Sequence, residues 1–180
     1  FTFKLGEICR EKGGCFHFQT TILNIEKDKC NVKKIITDKG DFQAEKYILA
    51  CAAYSPLIAK MVGDYIPIYP VKGYSITVPI IDYEKVPVHS GIDEDNLLAF
   101  SLLGDKIRFT SVAEISGYDT SHTPSDFTKM IEQAEPLFPG AFDFSQPEYW
   151  AGLRPMTPNG SPIFGKGRME NLYYNTGHGH

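Results

Sequence analysis

The sequence predicts an α+β protein, with α/β pieces towards both ends of the chain and an antiparallel sheet with one covering helix between them. Three observations lead there. First, a helical spacing near the start gives way to strands and then to the apolar run Tyr47-Ile48-Leu49-Ala50-Cys51, the type found in strands buried on both faces. Second, the middle is dense in strand formers, over Tyr69–Val78, Leu97–Leu103 and Lys106–Val112, with Gly104-Asp105 as a tight turn between the last two. Third, a polar, proline-rich passage from Pro155 to Gly167 is followed by a short strand, Leu172–Asn175. The expected divisions are 1–55, 56–157 and 158–180.

Taken in order, Phe1, Leu5, Ile8 and Cys9 fall at helical spacing, and Gly13-Gly14 ends the run. Phe16, Phe18 and Thr20 alternate with polar positions and lead into Ile22 and Ile25, which reads as one strand. Asn31–Thr37 is a second strand, Asp38-Lys39-Gly40-Asp41 a turn, and Phe42–Lys46 the return. Ser55-Pro56 caps a short helix that Gly63 closes. Thr123-Pro124 starts another, with Asp126 near the positive end of its dipole, an apolar stripe of Phe127, Met130, Ile131 and Ala134, and Pro136 as its stop. A further strand is expected around Tyr149-Trp150.

Composition narrows the function. With 42% hydrophobic and 22% charged residues the chain can bury a core, so it is not a disordered segment. A net charge of −4 with both signs interspersed argues against a nucleic-acid partner. No stretch reaches the roughly 18 apolar residues that span a bilayer. Cys9, Cys15, Cys30 and Cys51 form no CxxC pair, and Cys15 with His17 on one strand is too few ligands for a zinc site, so no metal is expected. A reducing cytoplasm is the simpler setting.

The densest motif is Trp150-Ala151-Gly152-Leu153-Arg154-Pro155-Met156-Thr157-Pro158-Asn159-Gly160-Ser161-Pro162-Ile163-Phe164-Gly165. Arg154 at a strand end offers a planar fork that suits a carboxylate, or equally a structural salt bridge. This stretch resembles the GLRPxTPDGxPxIG signature of the D-amino-acid oxidase superfamily, and most closely its bacterial D-amino-acid dehydrogenase branch. Pro70-Val71-Lys72-Gly73-Tyr74-Ser75 resembles the family's PVKGYS. Gly104-Asp105-Lys106-Ile107-Arg108 with Ala113-Glu114-Ile115 resembles its GDRIRxxxxAEI hairpin, with Ser111 where glycine is usual. Leu137-Phe138-Pro139-Gly140-Ala141 also fits, and Asn171–Gly179 resembles NLFLNTGHG.

The resemblance implies FAD as cofactor of the intact protein and a small-molecule amino acid as substrate. It implies oxidative deamination, with hydride passing from the substrate α-carbon to flavin N5. Arg154 inherits the substrate-carboxylate role. Tyr74 is a second candidate contact, against a plain reading as a sheet aromatic with its hydroxyl at the surface. Ile22, Ala50, Ala52, Gly177, His178 and Gly179 inherit flavin contacts. Ala52 stands where the family has glycine, and Ala50–Ala53 also reads as core packing. No residue is expected to act as a catalytic acid, base or nucleophile. On this reading segments 1–55 and 158–180 belong to the FAD domain and 56–157 to the substrate domain. A glycine- or sarcosine-type flavin amine oxidase, and a non-catalytic β-rich binding domain, are the alternatives. No GxGxxG occurs, and His180 replaces the family's threonine and reads as the start of a tag. The chain is therefore expected to be a truncated piece that lacks flavin and tends to self-associate. In the intact protein a cytoplasmic enzyme is expected, with a peripheral-membrane or quinone-linked electron acceptor as a further option.

Overall fold

The computed structural model describes residues 1–179; the expectation for His180 lies outside the described residues. Helix α1 (Thr2–Glu11) leads into a three-stranded antiparallel meander of β1 (Ile22–Lys27), β2 (Val32–Thr37) and β3 (Gly40–Phe42). β4 (Tyr47–Leu49) and helix α2 (Ser55–Met61) follow, separated by a 3-10 turn, Ala52–Tyr54. The long strand β5 (Tyr69–Pro79) then opens a five-stranded antiparallel sheet with β6 (Gly91–Asp93), β7 (Leu98–Leu103), β8 (Lys106–Glu114) and β9 (Glu148–Met156), in the order β6-β7-β8-β5-β9. Helix α3 (Thr128–Ala134) lies between β8 and β9 in sequence. The chain closes with β10 (Ile163–Lys166) and β11 (Leu172–Thr176).

Two cores result. In the first, Ile25, Val32, Tyr47 and Leu49 pack with Met169, Leu172 and Tyr174, because β11 runs parallel to β4 in the register Leu172–Tyr47, Tyr173–Ile48, Tyr174–Leu49. The same core takes in Ala59, Val62, Ile66 and Ile68. In the second, Tyr74, Ile76 and Val78 of β5 and Ile107 and Phe109 of β8 pack under Phe127, Met130 and Ala134. β5 is buried continuously from Lys72 to Val78, and its alternate residues Tyr74, Ile76 and Val78 meet the helical stripe of α3.

Several local expectations are corrected. Phe16–Thr20 is not a strand: the Phe16 and Phe18 rings stack on each other at 5.7 Å, Gln19 takes φ 52°, and β1 begins only at Ile22. Alternation without a partner strand leaves the backbone groups unpaired, so the pattern carries no ladder. Ile48 is 71% exposed although it sits in an apolar run, because β4 is an edge strand covered on one face only. Ser55 does not cap α2; its Oγ is buried against Thr176 Oγ1 at 2.7 Å. Thr123 and Asp126 do form a capping box, but it opens a 3-10 turn, Pro124–Phe127, ahead of the α-helix. Strands β6 and β10 are additional: both are short edge strands, and glycine or proline within or beside them masks the strand pattern.

Lys72 is 3% exposed, which is unusual for a lysine. Its Nζ donates to the Ser121 carbonyl at 2.5 Å, lies 3.8 Å from Glu114 Oε1, and sits 5.1 Å from the Tyr74 ring centroid. The Tyr74 hydroxyl donates to Glu114 Oε2. This cluster ties the loop after β8 to the sheet. That hydrogen bond holds the Glu114 carboxyl below the usual carboxylate range. The same bond, with burial, pushes the Tyr74 hydroxyl up.

Two predictions follow from this packing. Phe109→Ala, at a site with no exposure, should cost about 3–5 kcal/mol, whereas Phe164→Ala, at a site 81% exposed, should change stability by less than about 0.5 kcal/mol. Urea denaturation of both variants checks this, and equal losses would contradict the core described above. Because Glu114 is depressed in the folded state, its contribution is present above the unfolded carboxylate pKa of about 4.3 and is lost as pH falls through the folded value. Tyr74→Phe should therefore lower stability more at neutral pH than at acid pH, making the fall in stability on acidification shallower; an equal loss at both would disprove the coupling.

Candidate functional site

In a parallel strand pair, the loops at the carboxyl ends are the natural place for a ligand. Here the carboxyl end of β4 leads into Ala50–Tyr54 and that of β11 into Gly177–Gly179. The two turns are stitched together. Thr176 is 1% exposed; its Oγ1 meets Ser55 Oγ at 2.7 Å and lies 3.3 Å from the Ala52 carbonyl. Ala50, Ala52 and His178 are exposed at this end, and Gly177 and Gly179 are tucked beneath.

The backbone at Ala52 has φ 47°, in the left-handed region that favours glycine. This is the position where the resembled family carries glycine, so the departure from its pattern coincides with local strain. Gly177 has φ 78°, and a Cβ there would meet Thr157 Cγ2 at 2.9 Å. A Cβ on Gly179 would meet Met156 Sδ at 2.5 Å and the Pro155 carbonyl at 3.0 Å. The glycines thus let this loop lie directly on the end of β9, the strand that carries Arg154.

Arg154 lies within β9, near its carboxyl end, paired with Val71 of β5. Its side chain is on the sheet face away from α3, with Gly73, Ser75 and Thr77 of β5, Arg108 and Thr110 of β8, and Trp150 and Gly152 of β9. The guanidinium extends across Gly73 and Nη1 donates to the Val112 carbonyl at 3.1 Å. Among the described residues no carboxylate lies within ion-pair distance of it, so the structural salt bridge is absent. Arg154 also borders a cleft of about 690 Å³ walled by Leu97, Ala99, Val112 and Met130.

The remaining positions separate. Tyr74 faces the opposite side of the sheet from Arg154: it is 4% exposed, packs edge-on to Phe127 at 5.2 Å, and its hydroxyl is engaged by Glu114 rather than sitting at the surface. Ile22 is half-buried at the start of β1 and shares a small apolar cavity with Ile25, Leu49, Cys51 and Ile58, close to the first turn but beneath it. Burial pushes the Cys51 thiol up, which makes it a packing group. No cluster of three or more metal-ligating side chains occurs among the described residues.

Sequence reasoning passed over Tyr118 and Gly73. Tyr118 stacks on Tyr54 at 5.5 Å and its hydroxyl donates to the Ala53 carbonyl at 3.2 Å, joining the loop after β8 to the first turn. Gly73 was legible in principle, since glycine inside a long apolar strand marks a close approach.

The whole chain, residues 1–180, matches the family described as FAD dependent oxidoreductase (DAO). It is 42% identical over its full length to D-amino acid dehydrogenase 2 of Mesorhizobium japonicum, covering 44% of that protein. It is 44% identical over 99% of its length to D-amino acid dehydrogenase of Rhodopseudomonas palustris, covering 42% of it. The chain thus spans less than half the length of these relatives. Among solved structures it is similar to L-proline dehydrogenase from P. horikoshii (TM-score 0.85, 18% identity, 99% of this chain and 49% of that one). Glycine oxidase from Bacillus cereus is similar too (TM-score 0.82, 21% identity, 98% and 49%). These likenesses establish the α+β fold, with about half of each enzyme represented. With its entire length accounted for by the family match, this chain belongs to the DAO family of FAD dependent oxidoreductases.

Proposed function

We propose that the intact protein oxidatively deaminates D-amino acids to 2-oxo acids and ammonia, using FAD. The observation that carries this reading is the Arg154 guanidinium, which lies on an open sheet face with no acidic partner among the described residues. A planar fork held in that state is suited to the carboxylate of an amino acid. The identity of 42–44% to proteins named D-amino acid dehydrogenase supports the choice of substrate class.

In this reading the first core and the turns at its strand ends are the flavin side, and the five-stranded sheet is the substrate side. Ala50, Ala52, Gly177, His178 and Gly179 would hold the cofactor from the carboxyl ends of β4 and β11, with Ile22 packed behind them. The left-handed backbone at Ala52 and Gly177 fits that assignment, since both residues make tight turns at the carboxyl ends of β4 and β11. When bound, FAD would supply the two-electron oxidant that takes the amino acid to its imine. Water then converts the imine to the 2-oxo acid and ammonia. Arg154 fixes the carboxylate and so the face of the α-carbon presented. Tyr74 supports the sheet from behind through Glu114.

No described helix is long and apolar enough to cross a membrane. We assign the electrons to an acceptor other than oxygen, of quinone type; the relatives' names as dehydrogenases support the first part of this reading. Quinone reduction without matching oxygen consumption would support it; stoichiometric peroxide would replace it with an oxidase.

Arg154→Ala in the full-length protein should raise KM for a D-amino acid by at least about thirtyfold, the lower end of the 2–5 kcal/mol that a lost charged partner costs. Flavin content should be unchanged. Steady-state kinetics with absorbance at the flavin band decides, and an unaltered KM removes Arg154 from the substrate site. A polypeptide of residues 1–180 alone should self-associate through the outer edge of β4 and the exposed Ile48. Light scattering should show less association for Ile48→Lys; equal association would place the contact elsewhere.

A further inference from the structure

We infer that Gly73 and the bulged carbonyl of Val112 are the positioning elements that hold Arg154 ready for a carboxylate. The inference rests on the substrate-site reading of Arg154. Arg154 stands on β9, the edge strand, while its hydrogen-bond partner belongs to β8, and β5 lies between them. To reach Val112 the side chain must cross two strand spacings of about 4.8 Å each. It can do so close to the sheet only where the middle strand has no side chain.

Gly73 is that gap. A Cβ built there would lie 2.8 Å from Arg154 Nη2, 2.9 Å from Cζ and 3.2 Å from Nε. Any L side chain would lift the guanidinium off the sheet. The neighbouring position on the same face, Gly152, is closed in the same way by the Trp150 ring, so arginine and indole lie on adjacent parts of one face.

The acceptor is made by a register slip. β5 and β8 pair through Tyr74–Ser111 and then through Lys72–Glu114, leaving Val112 and Ala113 opposite Gly73 alone. This is a β-bulge, in which two residues oppose one and the ladder is interrupted. Val112 takes φ 68°, an uncommon conformation for a β-branched residue, and its carbonyl accepts from Arg154. One donor group of the guanidinium is fixed to the frame, and the rest of the fork is left for a ligand. A fork fixed in advance loses less freedom when the carboxylate arrives.

The test uses the full-length flavoprotein and three variants: Gly73→Ala, Arg154→Ala and the double variant. Substrates are a small neutral D-amino acid and its amide, which lacks the carboxylate. Gly73→Ala should raise KM for the amino acid tenfold or more with a smaller change in kcat, leave the amide almost unaffected, and have no further effect in the Arg154→Ala background. An equal loss in that background would show that Gly73 acts through the fold, and would overturn the inference. An independent readout is the Arg154 Nε–H resonance in nitrogen-15 spectra without substrate. It should shift and lose exchange protection in Gly73→Ala. An unchanged resonance would overturn the positioning role even if Arg154→Ala abolishes binding. An altered resonance with Arg154→Ala kinetically silent would instead overturn the carboxylate reading, and the inference with it.

Discussion

The parallel pairing of β4 with β11 is the contact on which the remaining architecture depends. It joins Tyr47–Leu49 to Leu172–Tyr174 across the whole intervening sheet. Closing so long a loop costs conformational entropy, though the cost grows only slowly with length. The apolar faces of Tyr47, Leu49, Leu172 and Tyr174 offset it by burial, and the Ser55–Thr176 hydrogen bond seals the carboxyl end. A buried hydroxyl left without its partner would cost about 1–3 kcal/mol, so the pair specifies the register of the two turns as well as stabilising it.

From that joint, the five-stranded sheet is presented with two chemically different faces. One is filled by aromatic and aliphatic side chains under α3, including Phe109, Phe127 and Ile76 with no exposure. The other carries glycine, serine, threonine, arginine and an exposed tryptophan. Period two along β5 separates Lys72, Tyr74 and Ile76 from Gly73 and Ser75. The first set builds a core and a buried charge cluster. The second provides a flat surface on which Arg154 can lie. The loop after β8 connects the sheet to the first turn, through Tyr118 against Tyr54 and Ala53 and through Lys72 against Ser121.

What could be read in the residues in advance, and what could not, follows from the range of the forces involved. Alternation and turn chemistry are local, so β2, β5, β7, β8 and β11 were legible within a residue or two, as were the Gly104-Asp105 turn and the helical start at Thr123-Pro124. Phe16–Thr20 misled because alternation says nothing of whether a partner strand exists. Ser55 misled because serine before proline suits a cap, and only the fold brings Thr176 to it. The arginine of the Gly152–Gly165 motif was legible as a cationic fork suited to a carboxylate or a salt bridge; its missing acidic partner among the described residues was not.

By itself the sequence determined the fold class and the residue types available for a carboxylate and for close backbone turns, because these rest on short-range pattern and composition, and its motifs carried the resemblance to the family. Only the tertiary structure decided which groups meet. It set Tyr74 behind the sheet and Arg154 on its open face, a consequence of odd and even positions on paired strands. It also placed Gly73 beneath the guanidinium and turned the Val112 carbonyl towards it, because a bulge arises from the mismatch between two strands and is written in neither alone.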